Sequence, residues 1–295
     1  MKTYFYILYE RRALAERYGG RSCAMEVTRK CCEALIANHS LPLHHKFFEV
    51  QRYFLEIKFR GTNYHGWQIQ ENAHSVQQEV NGALKTLLKL ETLTTGCGRT
   101  DTGVHATQFY LHFDTDKIEN ENQFVYKLNA VLPWDIAAIR IIQVHPDAHA
   151  RFDATSRTYE YKIVQTKEPF LKEFAHFEPV DFDLELMNEA ANELFNYEDF
   201  KSFSKGESEF GTLCKISEAE WRKRNELIDF RISANRFLRN MVRAIVGTLL
   251  EVGKKRITIE EFKKIIGSGE RAEAGASVPG YGLYLKKVKY PYIND

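Results

Sequence analysis

The chain has 295 residues, an apolar fraction of 44% and an aromatic fraction of 13%, enough to bury one large core or two ordinary ones. Its 41 Lys and Arg nearly balance its 40 Asp and Glu, so only local clustering of charge can indicate nucleic acid. No stretch approaches the ~20 apolar residues that span a bilayer. The five cysteines, at 23, 31, 32, 97 and 214, fit neither a disulfide framework nor a zinc site, and we expect a cytoplasmic protein with free thiols.

Residues 1–50 differ in character from the rest of the chain. They contain three of the five cysteines, and no apolar run in them resembles a signal peptide. We expect an N-terminal extension of unknown role that is poorly packed or results from an over-long start, with Met25 or Val50 as a later start. The alternative is a helical arm that contacts a partner, so deleting residues 1–49 is expected to cost little stability.

The remaining residues show two rounds of strand and helix patterns. In chain order the sequence predicts a strand at 53–59, a helix after a capping box of Ser75 and Gln78, a strand at 108–113, a turn at 128–133 and a strand around 139–144. The second round is a strand around 159–163, a helix at 187–195, a strand at 228–234, a long helix at 236–252, a short helix capped by Thr258 and Glu261, and a last strand at 283–285. This order predicts an α+β fold of two similar halves, 51–155 and 156–295, with a cleft between them as the site.

The eleven residues from Gly96 to Ala106, GCGRTDTGVHA, are the most informative stretch of the chain. They place Asp101 two residues after Arg99 and between glycines that permit tight turns and close approach of a ligand. A carboxylate in this position can be a nucleophile, a general base or a metal ligand. The non-functional alternative is that Asp101 caps a turn and pairs with Arg99.

Arg243 and Tyr159 are the other candidate site residues, and each has two interpretations. Arg243 lies either on the solvated edge of the long helix with Arg236 and Arg239, or in a partly buried position as the partner of a carboxylate. Tyr159 either packs in the core or stacks on a nucleobase. Basic and aromatic residues alternate at 151–159 and again at 221–224, which suits phosphate contacts beside stacking surfaces. A solvated charged face explains the second cluster equally well.

The segment from Gly98 to Ala106 resembles the signature GRTD-x-GVHA of the tRNA pseudouridine synthase A family. The resemblance extends from about residue 52 to 291. The other segments similar to family motifs are 64–70 (YHGWQIQ), 129–133 (NAVLP), 149–161 (HARFDA with Arg157, Tyr159 and Tyr161), 199–205, 214–221, 234–253 and 282–291. The departures are Cys97 and Thr102 where Ala is frequent, and Ile69 where many members have a basic residue. Residues 1–50 have no counterpart.

This resemblance implies an isomerase that converts uridine to pseudouridine at positions 38, 39 and 40 of the tRNA anticodon arm. It implies no cofactor, no catalytic metal, and a homodimer in which the tRNA spans both subunits. The expected fold is two RRM-like or ferredoxin-like halves whose antiparallel sheets join into one sheet flanked by helices. Asp101 corresponds to the catalytic aspartate and Arg243 to its basic partner. Tyr159 then stacks on the target base, Arg99 helps to displace that base, and His105 and Arg157 are further RNA-binding candidates.

Two other classes of protein remain as alternatives. A non-catalytic RNA-binding module with an RRM-like sheet would bind tRNA tightly and yield no modified product, but a carboxylate near phosphate weakens pure binding. A small-molecule enzyme such as a glycoside hydrolase normally needs a second carboxylate ~5–9.5 Å away, and the sequence suggests none.

Overall fold

A sheet of nine strands organises the residues that the structure, a computed structural model, describes, which are 50–206 and 210–294. The predictions for residues 1–49 lie outside these ranges. The strands are β1 (Gln51–Phe59), β2 (Thr95–Gly96), β3 (His105–Thr115), β4 (Ile136–Val144), β5 (Ser156–Val164), β6 (His176–Phe177), β7 (Ile216–Arg224), β8 (Leu227–Ala234) and β9 (Leu283–Lys289). The α-helices of the described ranges are α1 (Val76–Leu88), α2 (Glu121–Val131), α3 (Leu184–Glu193), α4 (Met241–Gly253) and α5 (Ile259–Ser268).

The strand order brings the last strand into the centre of the sheet. The order is β4-β1-β3-β9-β5-β8-β7, with β2 added to β3 and β6 added to β5. Pairing is antiparallel except for β5 with β6 and for β3 with β9, whose two paired positions are His105↔Tyr284 and Ala106↔Leu285. The predicted α+β class with one continuous, mostly antiparallel sheet is therefore confirmed, whereas the similarity of two RRM-like halves stays a prediction.

Two clusters of buried side chains pack on this sheet. One joins β1 and β3 to α1 and α2, with Phe54, Phe109 and Phe113 at 0–1% exposure. The other joins β5 and β8 to α3, α4 and α5, and α4 is buried over almost its whole length. Tyr159 packs against both clusters. Within residues 50–206 and 210–294, no helix combines the length and apolar composition required to cross a membrane.

Two element predictions were wrong, and three of the nine strands in the described residues, β2, β6 and β7, were not predicted. The turn expected at 128–133 is the end of α2, which begins after the N-cap Asn120. Strand β7 was not predicted, and the aromatic and basic cluster at 221–224 is its C-terminal end. The long helix begins at Met241 and not at Arg236, because Asn240 adopts a left-handed conformation with φ 66° that a continuing right-handed helix does not permit.

Candidate active site

Asp101 lies in the loop between β2 and β3, as the sequence predicts. The amide of Val104 donates to the Asp101 carbonyl at 3.2 Å, and the amide of Gly103 donates to the Tyr64 carbonyl at 3.2 Å. Gly103 has φ +77°, a conformation that side chains with a Cβ rarely adopt. The turn directs the Asp101 side chain into a half-open position in which 29% of it is exposed.

Glycines outside the motif hold this loop at backbone contact distance. A Cβ added to Gly66 would lie 2.0 Å from the Thr100 carbonyl oxygen, and one added to Gly280 would lie 2.3 Å from the Thr102 carbonyl oxygen. Gly98, within the motif, differs because an added Cβ would meet nothing within 4 Å. The segments that contain Gly66 and Gly280 therefore pack against the loop, whereas the space beside Gly98 is open.

Arg243, and not Arg99, is the ion-pair partner of Asp101. Arg243 Nη1 donates to Asp101 Oδ2 at 2.9 Å. Arg243 Nε donates to the Val278 carbonyl at 2.7 Å, and the Val278 amide donates to the Arg243 carbonyl at 3.2 Å. The guanidinium is therefore fixed from two sides, and it lies in a partly buried position beside a carboxylate.

One oxygen of the Asp101 carboxylate is left available. No side chain or amide within residues 50–206 and 210–294 donates to Oδ1, whereas Oδ2 is held by Arg243. Arg99 is exposed and forms no ion pair with the described part of the chain. The site thus combines a carboxylate held by Arg243, one carboxylate oxygen that receives no hydrogen bond from the described residues, and the exposed cation of Arg99.

Tyr159 lies on β5 with its ring edge-on to Phe237, at a centroid distance of 5.2 Å. Burial raises the pKa of Tyr159, and the negative charge of Asp101 raises it further, so the phenol is neutral at physiological pH. No hydrogen bond involves its hydroxyl among the residues that the structure describes. The ring is therefore placed by packing rather than by polar contacts, which suits a stacking surface.

His105 is held entirely by contacts inside the protein. It is 2% exposed. Its Nδ1 accepts from the Gly61 amide at 3.0 Å, and Nε2 lies 3.1 Å from the Glu173 carbonyl and 3.0 Å from the Tyr281 carbonyl. Burial lowers the pKa of His105, so the ring is neutral with its proton on Nε2. Both nitrogens are used, and the ring positions three loops around the site.

Arg157 likewise uses its guanidinium on backbone carbonyls. Nη1 donates to Ala154 at 2.9 Å and to Asn235 at 2.8 Å, while Nη2 donates to Cys97 at 3.1 Å and to Arg151 at 2.5 Å. Cys97 begins the Asp101 loop and is itself buried, which raises the pKa of its thiol to about 11 and leaves it unreactive. Arg157 therefore connects the Asp101 loop, at Cys97, to the segment before β5 and to the residue that follows β8.

Sequence reasoning did not identify the segment from Val278 to Gly282 as part of the site. Its carbonyls receive Arg243 at Val278 and the Tyr161 hydroxyl at Pro279, the latter at 3.0 Å. The signal was present in the Pro279-Gly280 pair just before the last strand, since such pairs mark turns in which the backbone is open to contacts.

Comparisons with known proteins define the class of enzyme to which this fold and site belong. A family model described as tRNA pseudouridine synthase matches residues 190–291, the part of the chain that carries Arg243. Pseudouridine synthases are isomerases, and the curated relatives described next carry the same family name.

Curated relatives match most of the chain. The tRNA pseudouridine synthase A of Bacteroides thetaiotaomicron is 50% identical over 246 residues, which is 82% of this chain and 91% of the relative. That of Bacteroides fragilis is 49% identical over 82% of this chain and 97% of the relative. That of Staphylococcus aureus strain MRSA252 is 35% identical over 80% of this chain and 91% of the relative. The chain belongs to the tRNA pseudouridine synthase A family.

Proposed function

We propose that this protein converts uridine to pseudouridine at positions 38, 39 and 40 of the tRNA anticodon stem-loop. Support comes from the family membership and from one observation in particular, the Asp101–Arg243 pair. Arg243 orients the carboxylate through Oδ2 and leaves Oδ1 for the substrate. The pair joins positions 142 apart in the chain, so Arg243 holds Asp101 through tertiary structure and not through a local turn.

The target nucleotide must first leave its stack, which costs on the order of a few kcal/mol. Arg99 is exposed at the start of the loop, two residues before Asp101, and fills the gap that the displaced base leaves. Tyr159 receives the displaced uracil on its ring, where stacking contributes roughly 1–3 kcal/mol. These two residues offset the cost of displacement.

The reaction breaks the C1′–N1 bond, rotates the uracil and joins C1′ to C5. The proton on C5 leaves and N1 gains a proton, so the atoms and charges of substrate and product balance. Asp101 acts as the nucleophile or base, by attack on C1′, attack on the ring or removal of a sugar proton. Arg243 keeps the carboxylate oriented through each of these routes. The uracil oxygens delocalise the charge that develops when the base departs.

The protein is proposed to act in the cytoplasm as a homodimer that binds the tRNA anticodon arm across both subunits. With His105 and Arg157 committed to backbone contacts inside the protein, we assign both a positioning role in RNA binding. The overall formal charge of +1 means that phosphate contacts depend on local groups such as Arg99.

The test of this function is Asp101→Asn, which keeps the shape of the side chain and removes its charge. Pseudouridine in purified tRNA, mapped by mass spectrometry after carbodiimide labelling because uridine and pseudouridine have the same mass, is expected to fall to background while the melting temperature and tRNA affinity change little. Asp116→Asn, an exposed aspartate beyond β3, is the matched control and keeps full activity. Turnover by Asp101→Asn contradicts a catalytic role for Asp101. Tight tRNA binding with no product from the wild type indicates the non-catalytic RNA-binding module instead.

A further inference from the structure

An irregular segment between α5 and β9, here called the bridging segment (residues 271–280), contacts both partners of the ion pair. Its Val278 carbonyl accepts from Arg243 Nε at 2.7 Å. Its Gly280 lies against the loop that carries the carboxylate, so close that an added Cβ would be 2.3 Å from the Thr102 carbonyl oxygen. A shift of this segment would therefore change how the guanidinium meets the carboxylate.

Arg271 holds the first part of the bridging segment from within. Its Nη1 donates to the carbonyls of Ala274 and Gly275, both at 3.2 Å, and its Nη2 donates to Ser277 Oγ at 2.8 Å. Arg271 is partly buried, and it forms no ion pair with the described part of the chain. The rigid fork of its guanidinium is thus used on neutral acceptors, and it sets the path of the backbone that leads to Val278.

Ser277 connects the Arg271 guanidinium to the start of α4. Its Oγ accepts from Arg271 and also from Asn240 Nδ2, the latter at 2.6 Å, so both lone pairs of the hydroxyl are used. Asn240 is the residue immediately before α4, and Arg243 lies in the first turn of that helix. The hydroxyl therefore fixes the bridging segment to the same helix end that presents Arg243.

Close backbone contacts also hold the bridging segment against α4. A Cβ added to Gly247 of α4 would lie 1.8 Å from the Ala276 carbonyl oxygen. The Gly275 amide donates at 2.9 Å to Oγ1 of Thr248, which is fully buried. These contacts fix the distance between the segment and the helix, whereas Arg271 fixes the direction of the carbonyls that it binds.

We propose that Arg271 is a positioning residue for the isomerisation, which acts on Asp101 through the Val278 carbonyl and Arg243. The inference rests on the proposed function, because it assigns a further residue to the same site. Without the Arg271 guanidinium, residues 274–277 lose the bonds that shape them, and the Val278 carbonyl no longer holds Arg243 in one orientation. Since a misplacement of about 1 Å can cost about 100-fold in rate, a partial release is expected to lower kcat measurably.

The first test is Arg271→Met in the full chain, because methionine retains the aliphatic part of the side chain and donates no hydrogen bond. We expect kcat to fall about tenfold and KM for tRNA to stay near wild type, since the change affects the reacting groups and not the RNA contacts. Arg256→Met is the matched control, because Arg256 pairs with Glu251 near the opposite end of α4 from Arg243. The control is expected to keep its kcat.

The second test is a double-mutant cycle that separates positioning from a general effect on stability. In Arg243→Lys, the fork that bonds both Val278 and Asp101 is absent. Adding Arg271→Met to this variant is expected to lower kcat no further, because two changes that break the same connection are not additive. The melting temperature is expected to fall equally in both backgrounds. Equal losses of kcat in the two backgrounds indicate a purely structural role and overturn the proposal.

Ser277→Ala provides the test if Arg271→Met does not fold. It removes the acceptor that Arg271 and Asn240 share, but it leaves the bonds to the carbonyls of Ala274 and Gly275. A smaller fall in kcat than for Arg271→Met is therefore expected, again with KM near wild type. If Arg271→Met is unfolded, a wild-type kcat for Ser277→Ala overturns the proposal.

The outcomes distinguish this proposal from the one on which it rests. A wild-type kcat for folded Arg271→Met, with pseudouridine still formed, overturns the positioning role and leaves the proposed function standing. A rise in KM with kcat unchanged also overturns it, because it assigns Arg271 to RNA binding. Absence of pseudouridine with the wild type overturns the proposed function and the positioning role together.

Discussion

At the scale of single residues, the site depends on which arginine reaches Asp101. Sequence proximity favours Arg99, two positions away, yet the loop turns so that the Asp101 carboxylate meets Arg243. The residue type was predictable because a carboxylate in an RNA site needs a cation to hold it. The identity of that cation was not, because the contact joins a loop to a helix 142 residues later in the chain, and only the resemblance to a family suggested it.

The roles of the glycines in the motif likewise depend on contacts with distant parts of the chain. The sequence indicates that all of them serve the turn, but only Gly103 combines a positive φ with a position in the loop. Gly96 is required for a different reason, because an added Cβ would lie 2.5 Å from Trp67 Nε1. The close approach to the loop carbonyls of Thr100 and Thr102 is made from outside the motif, by Gly66 and Gly280. A pattern confined to one segment does not show which other backbone will lie against it.

Arg243→Lys tests whether geometry rather than charge makes the pair work. A lysine ammonium keeps the charge but lacks the fork that bonds Asp101 Oδ2 and the Val278 carbonyl together. We expect kcat to fall about 100-fold, a typical cost of losing one preorganised electrostatic contact, with tRNA affinity almost unchanged. Steady-state kinetics with saturating tRNA measures kcat, and filter binding measures the tRNA affinity.

The control for this variant is Arg239→Lys, at an exposed arginine four residues earlier, which is expected to keep its kcat. A wild-type rate for Arg243→Lys shows that a point charge suffices, and an equal loss in Arg239→Lys shows a general effect of arginine removal.

At the scale of elements, patterns of local origin were predicted well. The alternation in β1, β5 and β8 and the capping box of α5, in which Thr258 and Glu261 bond reciprocally, appear where the sequence places them. Helix α2 was not predicted because residues 129–133, which end in Pro133, were interpreted as part of a turn. Its helix signals are Asn120 as an N-cap and the spacing of Phe124 and Leu128. Strand β7 was missed because its alternation is interrupted where its register with β8 shifts, between Ile216 and Glu218.

The predicted start of α4, at 236 instead of Met241, is the error that affects the site. Asn240 at φ 66° ends the irregular segment that follows β8, and its side chain donates to Ser277 Oγ at 2.6 Å. Because Arg236 and Arg239 precede this point, they do not share a helical face with Arg243. The left-handed residue therefore decides which arginine the helix presents to the Asp101 loop.

Asn240→Ala and Asn240→Gly together isolate the effect of this backbone conformation. Both remove the bond to Ser277, but only alanine places a Cβ in a left-handed conformation, at a cost of about 1 kcal/mol. We expect the alanine variant to melt about 3 °C below the glycine variant and to have the lower kcat. Differential scanning calorimetry measures the first difference. Equal melting temperatures contradict the assigned role of the positive φ.

At the scale of the whole molecule, burial of histidines links stability to pH. Burial lowers the pKa of His105, His149 and His176, and that of His112 to about 4. Arg52 also lowers the pKa of His112, whereas Asp114 and Asp153 oppose the shift. Well above pH 6.5, the ordinary pKa of histidine, each ring is neutral in both the folded and the unfolded chain and adds no pH dependence. Below that value the unfolded chain binds protons that the folded chain does not, so stability falls as the pH falls.

His112→Asn is expected to reduce this dependence. For His112 alone, a pKa lowered from 6.5 to about 4 corresponds to about 3 kcal/mol of stability lost between pH 7 and pH 4. Asparagine retains an acceptor for the Ala150 amide, which His112 Nδ1 binds at 3.1 Å, and does not titrate. Urea unfolding between pH 7 and pH 4.5 should show that the free energy of unfolding declines less steeply for this variant than for the wild type.

This pH range lies above the range in which Asp153 and Asp183 affect stability. Their pKa values are lowered in the folded protein, so the stability that they contribute is lost only at lower pH. His65→Asn, at an exposed histidine, is the control that keeps the wild-type decline, and an identical decline in His112→Asn would show that His112 is not the source.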